Sequence, residues 1–363
     1  MQLPIDVKAL LDEATNIDEA ARTPLSLTLY VDGTCPADLL NAAYGMFCSA
    51  VPHARVLRDT LEHALFAPYP GDDAAVILAG VGEQVGAAAA ALRASGVPAM
   101  VMTTLPNLVG EIASAAGHSI PEGDVVAPGG VAAPLRERLL AGVSGKGAPA
   151  RTFAAADEPL ALDADRAAEL EQRAGAWIIA ACREKRLAFA LAFPFVRKPL
   201  SLEAVNATAL QNAGVGFVMF IPGADMPVMT LNQAKMLLQI AAAYGQPMTI
   251  ARVKELACVV GGAFACRTVA RQLAGAVPAL GWAVKAAIGY AGTEAMGRAA
   301  IEYFESGGSV AGPADVVAKA RDAVAQGASA AQAAAASVPG IARRTAPGSS
   351  AGGAPAPMGE ARA

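Results

Sequence analysis

Short apolar runs alternate with alanine-rich helical patterns from Leu25 to about Val143. The runs read LSLTLYV, AAVILAG, PAMVMTT and DVVAPG. AAVILAG and PAMVMTT lack the regular polar alternation of a half-exposed strand, which is typical of strands buried on both faces of a parallel sheet. The alternation of strand and crossover helix therefore predicts a small doubly wound α/β domain with a mostly parallel sheet.

Helical periodicity replaces the strands in the second half of the chain. Apolar residues recur at three- and four-residue steps in segments near 163–193, 200–220, 230–244, 249–274 and 279–305. This spacing lines one face of a helix, so the second half is predicted to be an apolar all-α domain. The predicted fold class is α/β followed by all-α.

Breaks in these patterns divide the chain. Gly, Pro and acidic residues collect in SGKGAPARTFAAADEPLALD, and Gly and Pro are again abundant in the C-terminal segment. Such stretches mark domain boundaries, or ends with too little apolar content to order themselves. The predicted segments are an N-terminal helix or arm at 1–21, an α/β domain at 22–145, a linker at 146–162, a helical domain at 163–306 and an Ala/Gly/Pro-rich flexible tail at 307–363.

Composition narrows the classes of function. Of the 363 residues 54% are hydrophobic and 17% charged, but much of the apolar fraction is alanine, which favours packed helices before it favours a membrane. The net charge of −4 offers no basic footprint for a nucleic acid. The five cysteines form no CxxC pair and no ligand spacing with the three histidines, so we predict reduced thiols, no metal and a cytoplasmic location.

The first predicted strand and helix, LSLTLYVDGTCPADLLNAAYG, resemble the opening of small GTPases of the Era and TrmE type. The likeness rests on the strand, on Gly33 and on the LLNA residues at 39–42. A phosphate loop of the form G-x-x-x-x-G-K-[ST] needs stacked N–H groups, a lysine and a hydroxyl. Matching the LLNA residues places Pro36 at the lysine and Ala37 at the hydroxyl, and proline has neither an N–H nor a charge. The phosphate site is therefore predicted to be chemically empty.

The same resemblance extends along residues 22–145. AAVILAG stands at the third strand, PAMVMTT at the fourth and DVVAPGG at the fifth, with VAAPLRERLLAGV as the last helix. Thr103 to Pro106 replace the guanine-reading N-K-x-D motif, and Ala127 with Pro128 replaces Ser-Ala-Lys. The resemblance implies a degenerate GTPase-like domain that binds no nucleotide, and no cofactor is expected. The alternative is a small doubly wound domain without GTPase ancestry.

A dinucleotide site is a second alternative for this half. In AGVGEQVG, Gly80, Gly82 and Gly86 follow an apolar strand and open a helix, as in a variant of the dinucleotide-binding fingerprint. The next strand ends without the acidic residue that would hold a ribose. The adjacent Asp72 and Asp73 are predicted to face solvent, and His53 and His63 are predicted to be ordinary surface or core residues. No catalytic set is found, and the chain is expected to have no catalytic activity.

The helical half is similar to the domain-of-unknown-function family numbered 697, over roughly residues 190–306. The likeness rests on the Pro-Gly-Ala-Asp loop at 222–225, on Asn232 and Gln233, on IAAAYG ending at Gly245, and on VPALGWAVK and GRAAIEYF. This resemblance implies a domain without established activity. Members commonly follow an Era-type GTPase domain on the same chain, and they include bacterial proteins thought to sit at the inner membrane.

The stretch IPGADMPVMTLNQAKMLLQIAAAYGQP carries most of the candidate interaction residues. Thr230 and Gln233 have the T-x-x-Q spacing of a capping box, which predicts a helix beginning just after Thr230. Gly245 and Pro247 are predicted to end it. The candidate positions for contact with a partner are Asp225, Asn232, Gln233, Lys235, Tyr244, Arg267, Arg271 and Lys285.

The longest uncharged run is Ala204 to Ala224, 21 residues, which is long enough to cross a bilayer. Asn206, Gln211 and Asn212 lie inside it, so stable insertion in the inner membrane, peripheral contact and a packed helical core all stay open. The favoured hypothesis is a non-catalytic structural or regulatory protein whose helical domain binds a protein partner or a membrane, with homo-oligomer formation left open. The alternatives are a small-molecule or dinucleotide-binding protein and an integral membrane protein.

Overall fold

The computed structural model describes residues 7–61, 66–129, 161–218, 225–247 and 281–306. The first half contains, in order, α1 (Val7–Ala21), β1 (Leu25–Val31), α2 (Ala37–Met46), β2 (Ala54–Thr60), β3 (Ala74–Ala79), α3 (Gln84–Ala94), β4 (Ala99–Thr103), α4 (Pro106–Ala115) and β5 (Val125–Val126). The second half contains α5 (Ala164–Ala181), α6 (Arg186–Ala192), α7 (Arg197–Val218), α8 (Asp225–Ala243) and α9 (Gly281–Glu305). The predicted helices at 131–143 and 249–274, the predicted linker up to residue 160 and the tail lie outside the described residues.

The strands form one parallel sheet with the order β2-β1-β3-β4-β5. All four neighbouring pairs are parallel, and Leu27 of β1 lies between Val56 of β2 and Ala74 of β3. Strand β2 lies on one side of β1, and β3, β4 and β5 follow on its other side. The switch point of the topology therefore lies between β1 and β3. The prediction of a doubly wound α/β fold followed by helices is confirmed.

Helices cover both faces of this sheet, which explains why its central strands β3 and β4 read as continuous apolar runs. On one face, Ile77 and Val101 pack with Val85 and Leu92 of α3 and with Val109 of α4. The opposite face has a larger core. It joins alternate residues of β1, β3 and β4 to α2, α5 and α6, including Leu27, Leu29, Val76, Met100, Leu39, Leu170, Ile178 and Phe189.

The larger core runs through the boundary that the sequence pattern predicts. Helix α5, which the pattern assigns to the helical domain, packs directly on the sheet through Leu170, Ala174 and Ile178. Conversely, α1 packs through Leu10 and Ile17 against the helical half. The α/β and helical halves therefore share buried side chains.

Helix α8 is the most enclosed element of the helical half. It contacts α1, α6, α7 and α9, and most of its side chains from Met229 to Ala243 are buried. Its C-terminus is a Schellman turn, because Gly245 has a φ of 72° and Gln246 N–H donates to Ala241 O at 3.0 Å. The predicted stop at Gly245 is confirmed.

The predicted start of this helix is wrong. Helix α8 begins at Asp225, so Thr230 and Gln233 lie inside it and do not form a capping box. Both side chains are buried. The spacing predicts a cap, but Gln233 instead donates from inside the helix to Thr293 of α9.

The uncharged run from Ala204 is helical as far as Val218, at the C-terminus of α7, and the rest of it lies outside the described residues. Its Val205, Ala209 and Asn212 are buried, whereas Leu210 is exposed. Within the described parts of the chain, no helix combines the length and the apolar character that crossing a membrane requires.

Candidate functional site

The candidate site lies at the carboxyl ends of β1 and β3, where doubly wound sheets bind ligands. Asp32 follows β1, and its side chain points into the loop that follows β3. Its Oδ2 atom accepts hydrogen bonds from Gly80 N–H at 2.9 Å, Gly82 N–H at 3.0 Å and the Thr34 hydroxyl at 2.7 Å. Asp32 is only 7% exposed. A carboxylate of the protein itself therefore occupies the switch point.

Thr34 completes this arrangement. Its Oγ1 atom accepts from Val81 N–H at 2.7 Å, so the three successive N–H groups of Gly80, Val81 and Gly82 all donate to side chains of the β1 loop. Convergent N–H groups of this kind form the concavity that binds phosphate in nucleotide-binding proteins. Here an internal anion fills the concavity, and a phosphate placed beside Asp32 would meet its negative charge.

Contacts within the chain also account for the three glycines of AGVGEQVG. A Cβ atom on Gly80 would overlap the backbone of Thr34, and one on Gly82 would overlap the carboxylate of Asp32. On Gly86 it would lie 2.6 Å from His118 O and 2.8 Å from the Cβ of Ala113, where α3 packs against the end of α4. In the dinucleotide fingerprint the glycines let a pyrophosphate approach the backbone. Here they let other parts of the same chain approach it.

The loop between β1 and α2 has no lysine or hydroxyl at the helix start. Helix α2 begins after Pro36, which has an extended ψ of 138° and provides no side-chain cap. Burial, together with the nearby Asp32 and Asp38, raises the pKa of Cys35 to about 12. Cys35 is therefore a neutral thiol at neutral pH rather than a nucleophile.

Thr103 to Pro106, which the resemblance aligns with the guanine-reading motif, lie at the start of α4. Thr103 is fully buried, and its hydroxyl oxygen accepts from Leu105 N–H at 2.9 Å. Pro106 then occupies the first turn, where a missing N–H costs nothing. No carboxylate is present in this turn to bind a guanine edge.

Helix α5 covers the end of β5, which the resemblance aligns with the Ser-Ala-Lys motif. Arg173 is buried and donates to Ala127 O at 2.9 Å, and Glu169 Oε2 accepts from Gly129 N–H at 2.9 Å. Arg173 and Glu169 also form an ion pair. Partial burial alone would raise the pKa of Glu169, but the bonds from Gly129 and Arg173 outweigh it and lower that pKa.

A second polar cluster lies between α7, α8 and α9. The Oγ1 atom of Thr293 accepts from Asn212 Nδ2 at 2.9 Å and from Gln233 Nε2 at 2.8 Å, and Asn232 Nδ2 donates to Asn212 Oδ1 at 3.0 Å. Asn212, Gln233 and Thr293 are fully buried. Because buried amides lose much free energy when unpaired, these hydrogen bonds favour one relative register of the three apolar helices, although Gln233 Oε1 is buried without a partner among the described residues.

The other candidate interaction residues have separate positions. Lys235 forms an ion pair with Glu13 of α1, with 3.2 Å between Nζ and Oε2. Tyr244 stacks on Phe304 and donates to Glu305 at 3.3 Å, beside a cleft of about 520 Å³. Asp225 and Lys285 lie near the N-termini of α8 and α9. Arg267 and Arg271 lie outside the described residues. The candidates whose side chains the structure describes therefore do not form a single site.

Asp72 and Asp73 do not simply face solvent, as their loop position suggested. Asp72 is buried and accepts from the Ser26 hydroxyl at 2.7 Å, and Asp73 pairs with Lys185 at 2.6 Å. Asp73 also accepts from Ser26 N–H, so the pair ties the start of β3 to β1 and to the segment after α5. His63 lies outside the described residues, and the described parts contain no cluster of three potential metal ligands.

No protein-family model, no curated protein and no solved structure matches this chain. The resemblances to GTPases and to family 697 therefore rest on the residues quoted for them, and they stay predictions.

Proposed function

We propose that this protein is a non-catalytic structural or regulatory component. In this proposal its α/β half is a GTPase-like domain that no longer binds nucleotide, and its helical half associates with a protein partner or a membrane surface. The observation that carries the proposal is the Asp32 carboxylate, which takes three donors at the switch point.

The strand positions support the GTPase-like part of the proposal. The runs that the resemblance assigned to strands one, three, four and five are β1, β3, β4 and β5 of the sheet. At the three positions that the resemblance assigns to nucleotide contacts, this chain has an internal contact instead. Asp32 of the β1 loop accepts from Gly80 in the loop after β3, Thr103 accepts from the start of α4, and Arg173 binds the carbonyl of Ala127.

Leu210 supports an association role for the helical half. Its side chain is 61% exposed on α7, between residues of the same helix that are buried. Val228 of α8 is also exposed. In this proposal Leu210 is the apolar side chain through which the helical half contacts a protein partner or a membrane interface.

Titration of the purified full chain with a fluorescent GTP analogue and Mg²⁺ tests the first part. We expect no saturable binding at micromolar concentrations, and no shift in melting temperature with GTP, NAD or NADP. Saturable, Mg²⁺-dependent binding of the GTP analogue would contradict the proposal. A shift with NAD or NADP alone would favour the dinucleotide alternative.

Association is tested with Leu210→Ser in the full chain. Co-sedimentation with anionic lipid vesicles and pull-down from a cell extract are compared for the wild type and the variant. The matched control is Leu108→Ser, because Leu108 is 39% exposed on α4 in the other half. We expect Leu210→Ser to weaken association and Leu108→Ser to leave it unchanged. If both substitutions changed association equally, the proposal that the helical half mediates association would be wrong.

A further inference from the structure

Strand β2 is an edge strand of seven residues, Ala54–Thr60, with the sequence ARVLRDT. Within the described residues it pairs only with β1. A long edge strand offers a row of backbone donors and acceptors to another strand unless proline, a bulge or a covering segment blocks it. No proline interrupts ARVLRDT, and it pairs in continuous register with β1 from Leu25 to Val31.

The alternation of the ladder identifies the groups that face outward. His53 O accepts from Leu25 N–H, and Leu61 N–H donates to Val31 O, so odd-numbered residues of this segment direct their backbone groups toward β1. The even-numbered residues between them direct theirs away from the sheet. Val56 and Arg58 therefore each present an N–H and a C=O at the outer edge.

The two arginines of β2 lie against the protein's own surface, one on each face of the sheet, and not along this edge. The guanidinium of Arg55 lies 4.3 Å from the ring centroid of Tyr69 and donates to the Tyr69 hydroxyl at 2.6 Å. On the opposite face of the sheet, the guanidinium of Arg58 lies 3.9 Å from the ring centroid of Tyr44. Each contact restrains a long cationic side chain beside the strand.

The charges of β2 are complementary to those of a second copy of β2 that runs antiparallel to it. Arg55 and Asp59 flank Leu57 at equal distance on one face of the strand. A two-fold axis at Leu57 places Arg55 of one copy opposite Asp59 of the partner subunit, and the reverse pair follows by symmetry. The same register places Val56 opposite Arg58 of the partner subunit, so that the outward backbone groups face each other.

Neighbouring registers are less favourable. An axis at Arg58 would place two arginines directly opposite each other, which is destabilising. With the axis at Val56, Arg55 would lie opposite Leu57 of the partner subunit and gain no charge partner. An axis between two residues would bring outward groups opposite inward ones. The charge and the backbone pattern therefore select the same register.

We propose that two copies of this chain pair through β2, antiparallel about Leu57, to form one continuous sheet. Each Val56 exchanges two backbone hydrogen bonds with Arg58 of the partner subunit, and Arg55 forms an ion pair with Asp59 of the partner subunit. The partner is a second copy because the complementary sequence is β2 itself. The interface is small, so the dimer is concentration-dependent.

Sedimentation equilibrium of the full chain from about 5 to about 500 µM measures this dimer. Arg55→Glu is expected to raise the dimer Kd about tenfold or more, because both ion pairs become like-charge contacts. Lys8→Glu is the matched control, since it makes the same charge change on the exposed side of α1, and its Kd should match that of the wild type.

The decisive variant is the double exchange Arg55→Asp with Asp59→Arg, which restores opposite charges in the proposed register. Its Kd should return to within about threefold of the wild-type value. A wild-type chain that stays monomeric at every concentration overturns the proposal. If Arg55→Glu does not weaken the dimer, or if the double exchange does not restore its Kd, the interface lies elsewhere. Either result also overturns the proposal.

Discussion

The carboxylate of Asp32 and the backbone N–H of Gly80 lie 2.9 Å apart, although 48 positions separate them in the sequence. The two residues follow the two strands that flank the switch point of the sheet. Their bond, with those from Gly82 and Thr34, closes the crevice where doubly wound proteins bind nucleotides and other ligands. Backbone N–H groups that bind a phosphate in nucleotide-binding proteins bind the Asp32 carboxylate here and stabilise the two loops.

Asp32→Ala should lower the free energy of unfolding by about 2–4 kcal/mol, because two backbone donors and one hydroxyl lose a buried acceptor. Asp32→Asn should cost less, since its amide oxygen can take the position of Oδ2. Urea denaturation measures both. Asp12→Ala, on the exposed side of α1, serves as the control and should change stability by less than about 0.5 kcal/mol. Equal stability of Asp32→Ala and wild type would contradict this role.

Gly82→Ala should destabilise the protein by about 1–3 kcal/mol, because the added Cβ overlaps the Asp32 carboxylate and must displace it. Gly110→Ala is the comparison. Gly110 lies inside α4 and has no atom within 4 Å of an added Cβ, so alanine there should stabilise by about 0.5–1 kcal/mol. Thermal melting of the two variants should therefore give shifts of opposite sign.

The sheet was largely predictable, because β3, β4 and β5 are apolar on both faces and β1 has an apolar residue at every second position. Strand β2 was missed. Its sequence ARVLRDT carries three charges and has one exposed edge, so neither an apolar run nor a regular alternation marks it. The core shared by α5 and the sheet was also missed, because periodicity shows that a helix has an apolar face but not which element that face contacts.

The sequence predicted which nucleotide-binding groups the candidate site lacks, but not which internal contacts replace them. Pro36 and Ala37 indicate an empty phosphate loop, and the structure places both at the start of α2. The internal partner of the glycine loop, Asp32, was not recognised, because a single aspartate after a strand has no distinctive spacing. Thr293, which joins Asn212 and Gln233, was missed for a similar reason, since its partners are 81 and 60 positions away.

Glu169 should make stability depend on pH. Its pKa is lower in the folded chain than the usual 4.5, so its ionised form stabilises the fold above pH 4.5 and that contribution is lost as the pH falls through the folded pKa. Glu169→Gln should therefore be less stable than the wild type at neutral pH, and the difference should shrink in acid. Urea denaturation from about pH 7 to about pH 3 measures it. Glu171→Gln, on the exposed side of α5, is the matched substitution. A difference that grows in acid would contradict the assignment.

Thr293→Val should destabilise the helical half by about 2–4 kcal/mol, because the amides of Asn212 and Gln233 lose a shared buried acceptor while the side-chain volume is kept. Thr293→Ser keeps the hydroxyl and should recover part of the loss. Thr15→Val, on the exposed side of α1, is the control. If Thr293→Val proved as stable as the wild type, the polar cluster would not be what sets the register of α7, α8 and α9.

A chain ended after residue 160 should not fold by itself, although the sequence pattern places a domain boundary there. Ending the chain at this point removes α5, which covers one face of the sheet through Leu170, Ala174 and Ile178. We expect this fragment to bind a hydrophobic dye and to aggregate, because the exposed face is continuous and apolar. A chain ended after Ser306 keeps every described contact and should unfold cooperatively, like the full chain. A cooperative, dye-free unfolding transition of the shorter fragment would restore two independent domains, and the shared core would then be an interface between them.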